Sequence, residues 1–185
     1  MKGDKLLMLL FLTIVLLFVT GCSEYQLRRE MHRFASSPIV IPSDLELISD
    51  RCVLKSQLPG DKPLMVIYYD SLECGSCKVN HLIDLTELYE LADSTKSFEV
   101  VTIFSPKVEE YDELIRLLFL NDFSYPVYVD FSGNFRNNNM HIPSDRKFHN
   151  FLLNTDRYPV FVGNPVYGEM MADLFSKALE QIDKN

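Results

Sequence analysis

Cys74 and Cys77 stand two residues apart in Cys74-Gly75-Ser76-Cys77-Lys78, shortly after the apolar, β-branched and aromatic run Leu64-Met65-Val66-Ile67-Tyr68-Tyr69 that follows Pro63. A buried strand that delivers two cysteines to the start of a helix is a redox arrangement. Cysteines at i and i+3 of a first helical turn share a face, so their sulfurs can close a small disulfide with little backbone movement. Unpaired backbone N–H groups and the positive end of the helix dipole favour negative charge there, which lowers the pKa of the first thiol. Cys74 is the expected nucleophile and Cys77, one turn deeper, the resolving thiol. The flanks pull in opposite directions: the Glu73 carboxylate opposes a thiolate and the Lys78 ammonium favours it.

Two other readings compete for the same residues. One is an inert structural disulfide. The other is a zinc site built from Cys74, Cys77, His81 one turn on and Cys52 as a fourth ligand. The redox reading is preferred, with no metal and no cofactor expected, and Cys52 is expected to be a small buried hydrophobe. His81 and His149 could approach the sulfurs, whereas His32 and His141 read as tether and loop residues; ordinary surface or packing roles are expected for all of them.

The elements that must position the dithiol follow from periodicity. Leu82, Leu85, Leu88, Tyr89 and Ala92 recur at helical intervals to about Asp93, and Phe98 to Phe104 reads as a second buried strand. Ser105-Pro106 is expected to cap a helix that runs through Leu114, Ile115, Leu117 and Leu118 to Asn121. Tyr125 to Asp130 is a third strand, followed by a polar connection with no period. Phe151-Leu152-Leu153 and Val160-Phe161-Val162 flank the turn residues Asn154 to Arg157 and read as a hairpin, with Pro159 suited to an edge strand. Met171, Leu174, Phe175, Ala178 and Ile182 give a last amphipathic helix. This order makes an α/β fold: parallel strands joined by crossover helices, closed by a C-terminal antiparallel hairpin.

Residues N-terminal of this set read differently. Leu6 to Val19 is apolar apart from Thr13 and spans only about 20 Å as a helix, short of the roughly 30 Å hydrocarbon core, which favours a cleaved signal over a membrane span. Val19-Thr20-Gly21-Cys22 resembles a bacterial lipobox, which implies a lipid on Cys22; the competing reading is a plain secretory signal. The expected division is a lipoprotein signal peptide at 1–21, a lipidated tether and N-terminal extension at 22–62, and the compact domain at 63–185. Ser23 to Ala35 has helical spacing within the tether. Ile39 to Ile41 is a short strand or arm, and Leu45 to Leu54 a further strand carrying Cys52. Leu58 to Pro63 is the clearest breaker.

The 185 residues carry a formal charge of −8, or −9 once Lys2, Asp4 and Lys5 are set aside, which argues against nucleic acid and against electrostatic docking on anionic lipid. With Cys22 lipidated, the remaining cysteines are one pair and the odd Cys52, better suited to a functional dithiol than to a disulfide framework.

With the dithiol at the end of the first core strand and this element order, the chain from Pro63 onward resembles the thioredoxin superfamily, and among its branches the lipid-anchored, extracytoplasmic thiol-disulfide interchange proteins of the TlpA type. The resemblance implies a three-layer sandwich, a central mixed sheet with helices on both faces. It also implies attack by Cys74 on substrate disulfides and resolution by Cys77. Gly75-Ser76 stands where Gly-Pro is common, and Tyr68 occupies the position of the buried acid that some members use to deprotonate the second cysteine. The substrate-clamping cis-proline of the family falls at Phe148-His149, where there is no proline; a rival register would place it at Tyr158-Pro159. The expected function is a membrane-anchored thiol-disulfide oxidoreductase acting on protein thiols or disulfides and served by a redox partner in the envelope. Its expected location is periplasm-facing, with the outer membrane favoured because Ser23 is not an aspartate. A thioredoxin-fold lipoprotein that only binds a protein partner or a metal is the alternative.

Overall fold

The computed structural model describes residues 24–49, 51–55, 60–70, 79, 82–121 and 123–184. A single sheet of seven strands organises them, in the order β2-β1-β5-β4-β3-β6-β7. Its centre is β3 (Leu64–Tyr69), five of whose six residues are buried because the sheet is covered on both faces. β3 pairs in parallel with β4 (Glu99–Phe104), and β4 in parallel with β5 (Val127–Val129). On the other side of β3 lies the antiparallel hairpin of β6 (Asn150–Leu153) and β7 (Pro159–Val162). β7 is an edge, where the missing N–H of Pro159 costs no ladder bond.

Side-chain alternation along β3 divides the core. Met65 and Ile67 point to one face and Leu64, Val66 and Tyr68 to the other. The first face is covered by α2 (Thr86–Thr95, entered through a 3-10 turn at Leu82–Leu85), α3 (Tyr111–Leu120) and α5 (Glu169–Ile182). The expected stripe Leu82, Leu85, Leu88, Tyr89 and Ala92 is buried here, and Phe175 of α5 meets Phe98 and Phe161 edge-on at 5.1 and 5.5 Å. The second face is covered by Phe34 of α1 (24–35), by Ile39 and Leu45, and by Phe135 of the short helix α4 (Asn134–Asn138). The α/β three-layer sandwich with a mixed sheet and a C-terminal hairpin is therefore present.

The described sheet and core extend N-terminal of Pro63. β1 (Glu46–Ser49) and β2 (Cys52–Lys55) form a hairpin with Arg51 at φ 60°, and β1 pairs antiparallel with β5, extending the same sheet. Phe34 is 0% exposed, packed edge-on against Phe151 at 5.2 Å. The arm between them is stitched down as well: Asn139, itself buried, donates from Nδ2 to the Val40 carbonyl and accepts from the Val40 N–H, both at 2.8 Å. The Ile39 N–H donates to the Arg157 carbonyl at 2.9 Å. Residues 24–55 thus complete the core from a distance in sequence that local pattern does not reveal. Cys52 is exposed on edge strand β2, contrary to the buried hydrophobe expected. Among the described residues no helix is long and apolar enough to cross a membrane.

Candidate functional site

In an open α/β sheet, ligands and reactive groups gather at the carboxyl ends of the parallel strands. Here β3, β4 and β5 end together, latched by backbone bonds from Ser105 N–H to the Tyr69 carbonyl (2.9 Å) and from Asp130 N–H to the Phe104 carbonyl (2.7 Å). The Tyr68 N–H donates to the His149 carbonyl at 3.0 Å, which brings the residues just before β6 to the same end of the sheet.

Four buried polar side chains converge there: Tyr68, Ser105, Asp130 and His149. Asp130 is 1% exposed and accepts from the Ser105 hydroxyl (3.0 Å) and the Phe135 N–H (2.9 Å) on one oxygen, and from the Asn134 N–H on the other (3.0 Å). Ser132 Oγ lies 3.2 Å from that second oxygen and 3.0 Å from Asp44 Oδ2, so its one proton serves one carboxylate at a time. The two amides are the first of α4, so Asp130 caps that helix from the end of β5. The Ser105 hydroxyl donates to Asp130 and is also a hydrogen-bond partner of the Tyr68 hydroxyl. Tyr68, Ser105 and Asp130 thus meet across the ends of three adjacent strands.

Burial pushes the Tyr68 hydroxyl above its ordinary pKa; the Ser105 bond pulls it down and the nearby Asp70 charge adds to the rise. A tyrosine raised above its ordinary value stays protonated at neutral pH, so Tyr68 does not take protons as a buried carboxylate would. The carboxylate connected to it sits one serine away. Its ring is wedged between Phe135 (centroids 4.8 Å) and the His149 imidazole (5.1 Å). His149 is 1% exposed and its Nε2–H donates to the Pro143 carbonyl at 3.0 Å. Phe148 is half-buried, with the Lys147 ammonium 4.8 Å above its ring.

The structure therefore brings Tyr68 and the pair Phe148-His149 together, and it settles the register of the hairpin: Phe148-His149 precede β6, whereas Pro159 opens β7. No peptide bond among the described residues is cis. Glu73, Cys74, Gly75, Ser76, Cys77, Lys78, His81 and Cys22 lie outside the described residues. Cys52 is not brought to this end of the chain's chemistry: β2 stands four strands from β3, about 19 Å across the ladder. Among the described residues no group of three or more His, Cys, Asp or Glu side chains is arranged to hold a metal. Ser105 and Asp130 escaped the sequence reading. Ser105-Pro106 does not cap α3: the 3-10 turn that precedes the helix starts at Val108 with Lys107 before it, and the Ser105 hydroxyl donates to Asp130 instead. The signal for Asp130 was available in Asp130-Phe131-Ser132-Gly133-Asn134, an acid at the end of a buried strand followed by turn chemistry.

This strand order and the placement of the site define a thioredoxin-like fold. No protein-family profile and no curated protein matches the chain. Among solved structures, a putative thiol:disulfide interchange protein DsbE from Chlorobium tepidum is similar over 78% of this chain and 98% of that one, at 16% identity and a TM-score of 0.52. An uncharacterized thioredoxin-like protein from Porphyromonas gingivalis aligns over 78% of this chain and 93% of its own, at 16% identity and a TM-score of 0.49. The exposed lipoprotein thioredoxin of Streptococcus pneumoniae aligns over 65% and 85%, at 21% identity and 0.42.

Proposed function

We propose that the chain is a thiol-disulfide oxidoreductase of the cell envelope, anchored to the outer membrane through a lipid on Cys22 and facing the periplasm, that exchanges disulfides with protein thiols through Cys74 and Cys77. One observation carries the reading: the strand at the centre of a thioredoxin-like sheet, β3, ends at Tyr69, and Cys74-Gly75-Ser76-Cys77 follows within five residues. Cys74 stands four residues beyond Asp70 in the sequence, and Tyr68, Ser105, Asp130 and His149 converge at the end of the sheet to which β3 leads. The Cys74 thiolate attacks one sulfur of a substrate disulfide, forming a mixed disulfide and expelling the other substrate sulfur as a thiolate. Cys77, deprotonated, then attacks the Cys74 sulfur, which frees the second substrate thiol and leaves a Cys74–Cys77 disulfide; two electrons have passed to the substrate. Run backwards, the same steps oxidise a substrate dithiol. In this reading Asp130 supplies negative charge beneath the site through Ser105 and Tyr68, and Phe148-His149 form the wall against which a substrate chain lies.

The test is trapping. In the full chain, Cys77→Ser removes the resolving thiol, so mixed disulfides with envelope proteins accumulate on Cys74 and disappear on reduction and in Cys74→Ser. A Cys77→Ser protein that collects no adduct and whose Cys74 resists alkylation at neutral pH refutes the redox reading in favour of a non-catalytic binder.

A further inference from the structure

Charge in this protein is segregated, and the segregation selects a surface. Residues 1–23 and 24–35 each carry +1, so the −8 of the whole chain leaves −10 on residues 36–185. Within α1 the sorting is sharper. Successive helical residues turn about 100°, so Leu27, Met31 and Phe34 share one face and Tyr25, Arg28, Arg29, His32 and Arg33 fan over the opposite one. Phe34 is 0% exposed in the core, which fixes the rotation of the helix and turns the cationic face outward. That face forms a shallow open groove lined by Tyr25, Arg28, Arg29, His32 and Arg33. Tyr25 is 69% exposed, an amphipathic ring of the kind that settles at the level of lipid headgroups. Glu24 pairs with Arg28 at 2.7 Å, and Glu30 is exposed.

We propose that the outward face of α1 is a docking surface for anionic phospholipid headgroups, and that it sets how the folded domain sits on its membrane. Two observations name this occupant. The face is cationic on a body of −10, so an anionic bilayer attracts this patch and repels the rest. It also begins at residue 24, immediately after the apolar stretch Leu6 to Val19 and Cys22, so the chain itself delivers it to a lipid surface. The whole-chain charge argues against anionic lipid only when its distribution is ignored. The proposal rests on the envelope-lipoprotein reading for the source of the anchor, though not for the chemistry of the face.

The full chain is mixed with neutral phosphatidylcholine vesicles and with vesicles containing phosphatidylglycerol. Sedimentation is scored, and arginine modification by phenylglyoxal is followed site by site by mass spectrometry. Two to three arginines at an anionic surface add on the order of ten- to hundredfold in local partitioning, so Arg28, Arg29 and Arg33 should react at least about fivefold more slowly on anionic than on neutral vesicles. About 1 M salt should abolish the difference. Arg116 on α3, across the sheet, serves as the internal reference and should be indifferent to lipid charge. The exposed triple variant Arg28→Gln/Arg29→Gln/Arg33→Gln should keep the fold and lose the extra anionic affinity. Sedimentation with anionic vesicles alone, with the three arginines protected, supports the surface while overturning the anchor. Sedimentation with both kinds and equal arginine rates overturns the surface while leaving the anchor intact. Equal slowing of Arg116, or no sedimentation with either, also overturns it.

Discussion

Asp130→Asn is the substitution that bears most directly on the buried array, because it keeps shape and changes only charge and one acceptor. One amide position must now present an NH2 group to donors. On the Oδ1 side Ser132 can turn to donate to Asp44, already 3.0 Å away, and accept from the new NH2, which leaves the Asn134 N–H without an acceptor. The opposite flip orphans the buried Phe135 N–H instead. An orphaned buried donor costs about 1–3 kcal/mol, and each surviving bond falls from the charged range of about 1.5–3 toward the neutral range of about 0.5–1.5 kcal/mol. Relief of carboxylate desolvation offsets part of this, so the net loss should be about 2–4 kcal/mol. In a domain of this size that lowers Tm by roughly 5–15 °C, readable by calorimetry or denaturant unfolding. Ser132→Ala is the control: Ser132 is exposed and divides its proton, so its loss should cost under about 1 kcal/mol. An Asp130→Asn protein within about 1 kcal/mol of the parent would refute the claim that this carboxylate organises the ends of β4, β5 and α4.

Three further outcomes are expected. Phe34→Ala should destabilise the whole domain by about 3–5 kcal/mol in denaturant, since a buried aromatic leaves a cavity; a free tether would lose nothing. Asn139→Ala removes both partners of Val40 and should cost about 2–4 kcal/mol, with the Val40 amide exchanging faster and the arm opening to limited proteolysis. His141 packs beside Phe34, and its burial, with the charges of Arg33 and Arg136, holds its pKa below the usual histidine value of 6.5 against the opposing Ser37 backbone bond. As pH falls through 6.5 the unfolded chain takes up a proton that the folded chain refuses, so stability drops until the folded pKa is passed. His141→Gln should therefore lose less stability than the parent between pH 7.5 and pH 5.5 in matched urea titrations, and equal losses would show that His141 does not titrate this way.

Periodicity and turn chemistry made much of the fold legible. Leu82 to Ala92, Phe98 to Phe104 and the Asn154 to Arg157 turn stand where local pattern placed them, because each hides one face or turns a corner using only its own residues. The choice of Phe148-His149 over Tyr158-Pro159 follows from strand length, once the family resemblance puts the clamp just before the hairpin.

What the chain by itself determined was the order of its elements and the residue types that lead from β3 to a dithiol, since alternation, helical spacing and breaker residues are local properties. Tertiary structure decided the rest. It recruited α1, the Val40 arm and the β1–β2 hairpin into a core that local pattern ended at Pro63. It exposed Cys52 by placing β2 at an edge, and joined Tyr68, Ser105 and Asp130, spread over more than sixty residues of sequence, into one array. Contacts of that separation depend on which strands become neighbours, and strand neighbours are chosen by burial of the whole sheet.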